Sequence, residues 1–450
     1  MEHRTPAYEV SIERLSYGAD SIAHLDDGKT VFVPGGVPGD TVRISIIEEH
    51  ERFSRGRIEE TLEPSAQRVQ PHCAYAGVCG GCPWASVSRD YQLKAKRQLV
   101  IDALARIGRV GEERARTLVS PTVDVGPAVG YRNKIELAVA QQGGKAAIGM
   151  HAAHSDSIIK VDSCPLFDAP SKKALRALSG ALGYLSGSQG LRVERVGIRA
   201  SKRTGDTEIA LWTETGPFPR AHVAKIIGDA LPATSLVRVM GKGPKAARRI
   251  AGVERLSGKG HWTERILDEA MHLSAPSFFQ VNTRGAEKLV ECVLSGLAVA
   301  EDDEAMDLYC GAGTFTLPLA RRAGFVSAVE SYGPAVRDLR RNLEQAGIGN
   351  VDAIGGDAGL EFPSTGADVI VVDPPRAGLG KSVIDKLSSQ PARTIAYVSC
   401  DPATLARDLA RFEERGVFSP ISVVPHDLFP QTFHVETVAL MSRAGVEATE

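Results

Sequence analysis

Ala305-Met306-Asp307-Leu308-Tyr309-Cys310-Gly311-Ala312-Gly313-Thr314-Phe315-Thr316 reads as a strand, a glycine turn and the start of a helix. Gly311 and Gly313 leave the backbone free to approach a ligand. The next acidic strand end, Ser327-Ala328-Val329-Glu330, follows about 20 residues on, where a carboxylate reaches ribose hydroxyls in dinucleotide-binding sheets. The loop is Gly-x-Gly with no third glycine, which disfavours a dinucleotide. S-adenosylmethionine, with ribose hydroxyls and no pyrophosphate, fits better. Gly355-Gly356-Asp357-Ala358 adds an acid placed to meet the adenine. Cys310 is expected to pack inside the turn. From about Ala275 the order strand, glycine loop, helix, strand is that of a doubly wound α/β unit.

Downstream, Val369 to Val372 reads as a buried strand stopped by Asp373-Pro374-Pro375-Arg376, because Pro-Pro supplies no ladder donors. The chain leaves at the carboxyl edge, where open α/β sheets bind ligands. The next strand, Thr394 to Val398, ends at the same edge in Ser399-Cys400. Asp401 and Thr404 are suited to cap and start a helix. Cys400 is therefore expected near a helix N-terminus, with its thiol pKa lowered from about 8.5. Further on stands Asp427-Leu428-Phe429-Pro430-Gln431-Thr432-Phe433-His434-Val435-Glu436. An extended chain there puts His434 and Glu436 on one face, with His434 orienting the carboxylate or packing. A thiol and a carboxylate beside a methyl-donor site point to covalent attack on a pyrimidine, methylation, then proton removal. Cys400 is the expected nucleophile and Glu436 the expected base.

The chain has 450 residues, enough for two or three domains, with 43% hydrophobic and 24% charged residues. Its net charge of -2 excludes binding nucleic acid through bulk charge, so any RNA contact must use local patches. No apolar run approaches the 18 or so residues of a membrane span, and Met1-Glu2-His3-Arg4-Thr5-Pro6 does not read as a secretory signal. Seven cysteines, an odd number, argue against a disulfide framework. A cytoplasmic protein with no membrane contact is expected, acting as a monomer.

Residues 5 to about 62 carry short alternating runs: Tyr8, Val10 and Ile12, then Val31-Phe32-Val33, then Val42, Ile44 and Ile46. Such runs broken by glycine pairs predict a small β-barrel. Ser86 to about Gly108 predicts a helix, with Leu93, Leu99, Leu104 and Ile107 at helical spacing. From Gly130 to about Leu273 strands and helices mix. Cys73, Cys79 and Cys82 form C-x5-C-x2-C, and Cys164 is a distant fourth candidate, each of Cys82 and Cys164 being followed by proline. Four thiolates suit a [4Fe–4S] cluster or a structural zinc, and spacing alone does not choose, although x5 is long for zinc.

Asp373-Pro374-Pro375-Arg376-Ala377-Gly378, Tyr397-Val398-Ser399-Cys400 and Asp427 to Glu436 together resemble the signatures of the RNA 5-methyluridine methyltransferases, in particular the 23S ribosomal RNA branch. The resemblance spans nearly the whole chain. It implies a TRAM-like, OB-like RNA-binding barrel at 1–63, a mixed α+β central domain with the cysteine loop at 64–274, and a Rossmann-like class I methyltransferase domain at 275–450. It implies that Cys73, Cys79, Cys82 and Cys164 hold a [4Fe–4S] cluster, with zinc the lesser alternative. Phe278-Phe279-Gln280-Val281-Asn282 resembles a family motif that puts Gln280 at the methyl donor, with Tyr309, Thr314, Glu330 and Asp373. Thr314 and Asp401 each stand where the family usually has Asn, and Asp20 interrupts the Gly-x-Gly of the barrel turn at Gly18.

Candidate RNA-binding patches are Arg192, Arg195, Arg199, Lys202 and Arg203; Arg238, Lys242, Lys245, Arg248 and Arg249; and Arg132 with Lys134. Phosphates would position the RNA and aromatics such as Phe278 would stack on unpaired bases. The sequence thus predicts an S-adenosylmethionine-dependent uridine C5-methyltransferase acting on 23S ribosomal RNA. The alternatives are the same chemistry on transfer RNA, and, from another class, a non-catalytic RNA-binding protein. DNA cytosine methylation uses similar thiolate chemistry but is disfavoured by the barrel and Glu436.

Overall fold

The computed structural model describes residues 7–142, 145–243, 249–364 and 366–445. Lys245 and Arg248 lie outside them. The chain opens with a six-stranded sheet in the order β1-β5-β6-β4-β3-β2, formed by β1 (Ala7–Ser11), β2 (Arg14–Leu15), β3 (Asp20–His24), β4 (Thr30–Pro34), β5 (Thr41–Glu49) and β6 (Phe53–Glu63). The alternating pattern sends Val10, Ile12, Val31, Val33, Val42 and Ile44 to one interior. Three register shifts between β5 and β6 bend that pair, as curling a short sheet into a barrel requires. Asp20, at the start of β3, is buried and ion-paired to Arg55 at 2.5 Å.

Two helices follow, α1 (Arg89–Arg106) and α2 (Glu112–Leu118). Ser88 caps α1 by accepting from the Tyr91 amide. Leu99 and Leu104 are buried as the spacing predicts, whereas Ile107 is exposed at the helix end. Val100, Ile101 and Leu104 pack with Leu405, Leu409 and Phe412, so α1 belongs structurally to the C-terminal sheet rather than to the middle of the chain. On its other side Leu99 meets Leu15 and Val37 of the barrel and Trp84.

The middle of the chain is a seven-stranded sheet, β13-β12-β11-β10-β7-β8-β9, carrying two helices. Its elements are β7 (Lys134–Gln142), β8 (Lys145–His151), β9 (Ile158–Lys160), α3 (Ala174–Gln189), β10 (Arg195–Ala200), β11 (Thr207–Glu214), α4 (Arg220–Ala230), β12 (Ser235–Lys242) and β13 (Arg249–Gly258). The hairpin β14 (Trp262–Ile266) and β15 (Glu269–Leu273) then packs Trp262, Met271 and Leu273 into the C-terminal core.

That C-terminal unit contains α5 (Thr283–Leu297), β16 (Glu304–Leu308), α6 (Thr316–Ala320), β17 (Phe325–Glu330), α7 (Gly333–Gln345), β18 (Val351–Gly355), β19 (Val369–Val372), α8 (Lys381–Ser388), β20 (Thr394–Ser399), α9 (Pro402–Arg415), β21 (Phe418–His426) and β22 (Glu436–Arg443). The strand order is β18-β17-β16-β19-β20-β22-β21, parallel up to β20. All four residues of β19 are buried, because helices cover both faces of a parallel sheet. Each such side chain contributes roughly 1.5–3 kcal/mol of burial. The chain turns one way from β16 to β17 and the other way to β19, and a ligand crevice opens where the order reverses. β22 runs antiparallel to β20, which returns its first residue to the carboxyl edge of the sheet.

Candidate active site

The glycine loop leaves β16 at the reversal point. Tyr309 holds φ 63°, Gly311 φ 59° and Gly313 φ 101°. A Cβ on Gly313 would sit 2.5 Å from Leu317 and 2.7 Å from Leu339, so only glycine fits there. The Gly311 amide donates to Glu330 Oε2 at 3.0 Å, and the Tyr332 amide donates to Glu330 Oε1 at 2.6 Å. Glu330 thereby ties the loop to the end of β17. Thr316 donates to Asp307 Oδ2 at 2.6 Å under the loop, and burial pushes the Asp307 carboxyl up to about 7. Cys310 is buried, as its expected packing role requires. Asp357 caps its own turn by accepting from the Gly359 amide at 2.8 Å, and burial, then the charge of Asp357, raise the Tyr309 phenol. Thr314 is half-buried on the same loop.

Gln280 is buried, and its Oε1 has no hydrogen-bond partner; one Asp307 oxygen, Oδ1, is likewise unpartnered. Unpaired buried acceptors at a cleft suit a ligand that brings donors. Asn133 holds the Gln280 carbonyl at 2.9 Å. Phe278, two residues earlier, is 69% exposed.

Asp373 follows β19, and its amide donates to Leu308 O at 3.2 Å. Burial, aided by Glu330, pushes its carboxyl up to about 7. Two strands of chain then converge beside it. Ser399 of β20 pairs with Thr437 of β22, so the register, continued by one residue, sets Cys400 across from Glu436. Glu436 is 4% exposed, and burial, then Asp373, raise its carboxyl well above the carboxylate range, while Arg376 and Lys96 oppose that shift.

The expected lowering of the Cys400 thiol is not found. Its pKa is pushed up to about 11, by burial first and then by the charges of Glu436, Asp373 and Asp401; Arg376 alone pulls it down. The helix is where it was expected, but Asp401 is its N-cap and takes the Ala403 and Thr404 amides at 2.9 and 3.0 Å. The dipole end is thus answered by a carboxylate, and three acids outweigh one guanidinium.

Four residues that local patterns do not mark complete the site. Lys96 of α1 has no exposed surface. Its ammonium is paired with Asp427 and donates to Phe429 O at 3.0 Å and His434 O at 2.6 Å, which uses all three of its donors. Arg89 is ion-paired to the other Asp427 oxygen. Gln92 holds Gln431, which has φ 71°, by accepting its amide at 2.8 Å. From the barrel, Tyr17 donates to Asp401 Oδ2 at 3.2 Å and Cys400 O at 3.4 Å, and its ring meets Phe433 edge-on at 5.7 Å. His434 packs against Phe433, and burial lowers its pKa to about 4, so the ring is neutral and suited to packing.

Cys73, Cys79, Cys82 and Cys164 line one cavity of about 60 Å³, walled by Ile135, Met150, Val161 and Leu166. The Cys82 thiol is pushed up to about 12 by burial and by the neighbouring sulfurs of Cys164, Cys79 and Cys73. Among the described residues, no three His, Cys, Asp or Glu side chains are grouped to hold a single metal ion. The Trp84 amide, two residues past Cys82, donates to Gln431 O at 3.1 Å, joining this cavity to the loop before Glu436.

Several expected RNA patches are structural instead. Arg199 is buried against Ser274 O, Ser277 O and Glu208. Arg238 is buried with Thr213, Gly216 O and Glu254. Arg195 pairs with Glu136, Arg203 with Glu287 and Lys134 with Glu136. No helix among the described residues is long and apolar enough to cross a membrane.

Models of the tRNA (Uracil-5-)-methyltransferase family and of the TRAM domain match residues 265–444 and 7–58. An uncharacterized RNA methyltransferase of Thermosynechococcus vestitus is 34% identical over 443 residues, covering 96% of this chain and 97% of its own. Another, from Halalkalibacterium halodurans, is 31% identical over 453 residues, covering 98% and 97%. The crystal structure of Pyrococcus abyssi tRNA (uracil-54, C5)-methyltransferase in complex with S-adenosyl-L-homocysteine superposes with a TM-score of 0.75 at 26% identity, covering 96% of this chain and 100% of that one.

Proposed function

The chain belongs to the RNA uracil-5-methyltransferase family, a group dependent on S-adenosylmethionine, and we propose that it methylates carbon 5 of a uridine in 23S ribosomal RNA through a covalent adduct on Cys400. The observation that carries this reading is that β20 and β22 pair as far as Ser399 and Thr437, next to Cys400 and Glu436, and that the charges of Glu436 and Asp373 both reach the Cys400 thiol. S-adenosylmethionine supplies an electrophilic methyl group. Gln280, Tyr309, Gly311, Gly313, Thr314, Glu330, Asp357 and Asp373 are the residues we assign to holding it.

The Cys400 thiol gives up its proton to water and, as thiolate, bonds to carbon 6 of the uracil ring, while the ring's 5,6 electron pair moves to carbon 5 as an enolate. Carbon 5 would take the methyl group as the sulfur–methyl bond breaks, its electron pair staying on sulfur and S-adenosylhomocysteine leaving. Glu436, as carboxylate, then removes the carbon-5 proton; the electron pair reforms the 5,6 double bond and the sulfur leaves as thiolate. Arg376 favours the thiolate and the Glu436 carboxylate alike, against the burial that raises both groups. The target base leaves its stack at a cost of a few kcal/mol, which favours a loop as substrate.

The four cysteines are suited in number, chemistry and convergence to a [4Fe–4S] cluster, which we assign to them in preference to zinc. Its role here is structural, bracing Trp84 against Gln431. We assign the protein to the cytoplasm as a monomer. Transfer RNA is the second reading, favoured by the likeness to the Pyrococcus abyssi enzyme over its whole length. Nucleotide-resolution mapping of 5-methyluridine in a deletion strain separates them: a loss confined to 23S RNA supports the first reading, and a loss in transfer RNA replaces it with the second.

A further inference from the structure

The central sheet ends in β13, an edge strand whose residues alternate between exposed and half-buried. Across an open cleft of about 790 Å³ it faces the start of α7. Arg249 and Arg255 reach the cleft from β13, and Arg337 and Arg341 from α7. The carboxylate that lines it is Asp338, which is buried and already accepts from the Ser274 amide at 2.8 Å and from two serine hydroxyls. Arg341 stands 3.5 Å from Asp338. Among the described residues Arg249, Arg255 and Arg337 have no carboxylate partner, unlike Arg195, Arg203 and Arg238. A cleft lined by cations that no carboxylate answers focuses a positive field and draws anions to it, in a chain whose overall charge of -2 does not. Arg249 and Arg255 are six residues apart on an extended strand, about 20 Å, too long a row for one small anion. Tyr332, 37% exposed, adds an aromatic face, and its amide is bonded to Glu330, so the cleft opens beside the methyl-donor loops.

We propose that this cleft carries a single-stranded segment of the substrate RNA, with Arg249, Arg255 and Arg337 on its phosphates and Tyr332 stacked on an unpaired base. The proposal deepens, and rests on, the RNA methyltransferase reading. Arginine rows beside an exposed ring are the elements of sequence-tolerant strand binding. R249E, R255E and R337E all alter surface side chains, so the folded protein should keep its melting temperature. Binding of the full-length variants to a fluorescein-labelled oligouridylate should weaken several-fold for each reversal. The slope of log affinity against log salt should flatten by roughly 0.7 for each phosphate released from its arginine. Y332A should weaken binding while leaving that slope unchanged, and S-adenosylmethionine affinity should be unchanged in R249E and R255E. Unaltered affinity and slope in the triple variant would overturn the proposal. So would equal competition by polyaspartate together with indifference to Y332A, which would mark an acidic protein as the partner. If wild-type protein binds through these arginines yet transfers no methyl group to uridine, the uridine chemistry fails and the cleft assignment stands.

Discussion

Lys96 donates to the carbonyl of His434 at 2.6 Å, two residues before Glu436, although it lies on a helix more than three hundred residues away in sequence. The loop that delivers the carboxylate is thus held by a buried ammonium, not by its own turns. Removing one partner of a buried ion pair costs up to about 3–5 kcal/mol, and here Arg89 still answers one Asp427 oxygen while the Phe429 and His434 carbonyls lose their donor. K96M should lose stability of that order in urea unfolding, and the folded fraction should methylate slowly because Glu436 loses both its brace and a cation that favours its carboxylate. A K96M protein of wild-type stability would contradict this.

The raised Cys400 thiol has a measurable consequence. A thiol near 11 is almost wholly protonated at pH 7, so iodoacetamide should label Cys400 slowly, and labelling should keep rising with pH beyond 9. Where Glu436 is ionised its charge raises the thiol, so E436Q should speed labelling at the alkaline end of the profile. R376A removes the cation that lowers it and should slow labelling. Peptide mass spectrometry reads each rate at Cys400 separately from the other cysteines.

Tyr17 joins the barrel to the nucleophile loop through Asp401 and Cys400 O. A hydrogen bond to a charged group is worth about 1.5–3 kcal/mol. Y17F should therefore lower the single-turnover rate by roughly ten-fold or more while RNA affinity stays within two-fold, by this energy scale. An affinity loss with an unchanged rate would mean that Tyr17 serves RNA binding alone.

Gly313 and Gly311 separate space from backbone strain. G313A drives a Cβ into Leu317 and Leu339 at a positive φ and should both destabilise the fold and abolish donor binding. G311A meets nothing within 4 Å and carries only the left-handed penalty, about 1–2 kcal/mol. Calorimetry with S-adenosylhomocysteine should rank G311A well above G313A.

The features that were readable from sequence are those whose cause is local. The glycine loop, the Pro-Pro stop after Asp373 and the Asp401 cap each follow from the residues beside them. Lys96 could not be found this way, since Tyr91-Gln92-Leu93-Lys94-Ala95-Lys96 looks like a solvated helix turn until Asp427 arrives from the other end of the chain. The same limit made Arg199 and Arg238 look like surface cations, because their burying partners come from other elements. The thiol's direction of shift went wrong for a related reason. The helix end was local and visible, but the burial of Cys400, and after it the charges of Glu436 and Asp373, come from elements distant in sequence.

The most direct measurement is covalent trapping. RNA carrying 5-fluorouridine at the mapped target presents no removable proton at carbon 5, so the adduct should persist in the presence of S-adenosylmethionine. Wild-type protein should give a methylated protein–RNA species resistant to denaturation, with the RNA joined to the peptide containing Cys400, and C400A should give none. Wild-type protein that methylates the unmodified RNA yet forms no such species, or a crosslink at another residue, would contradict the account.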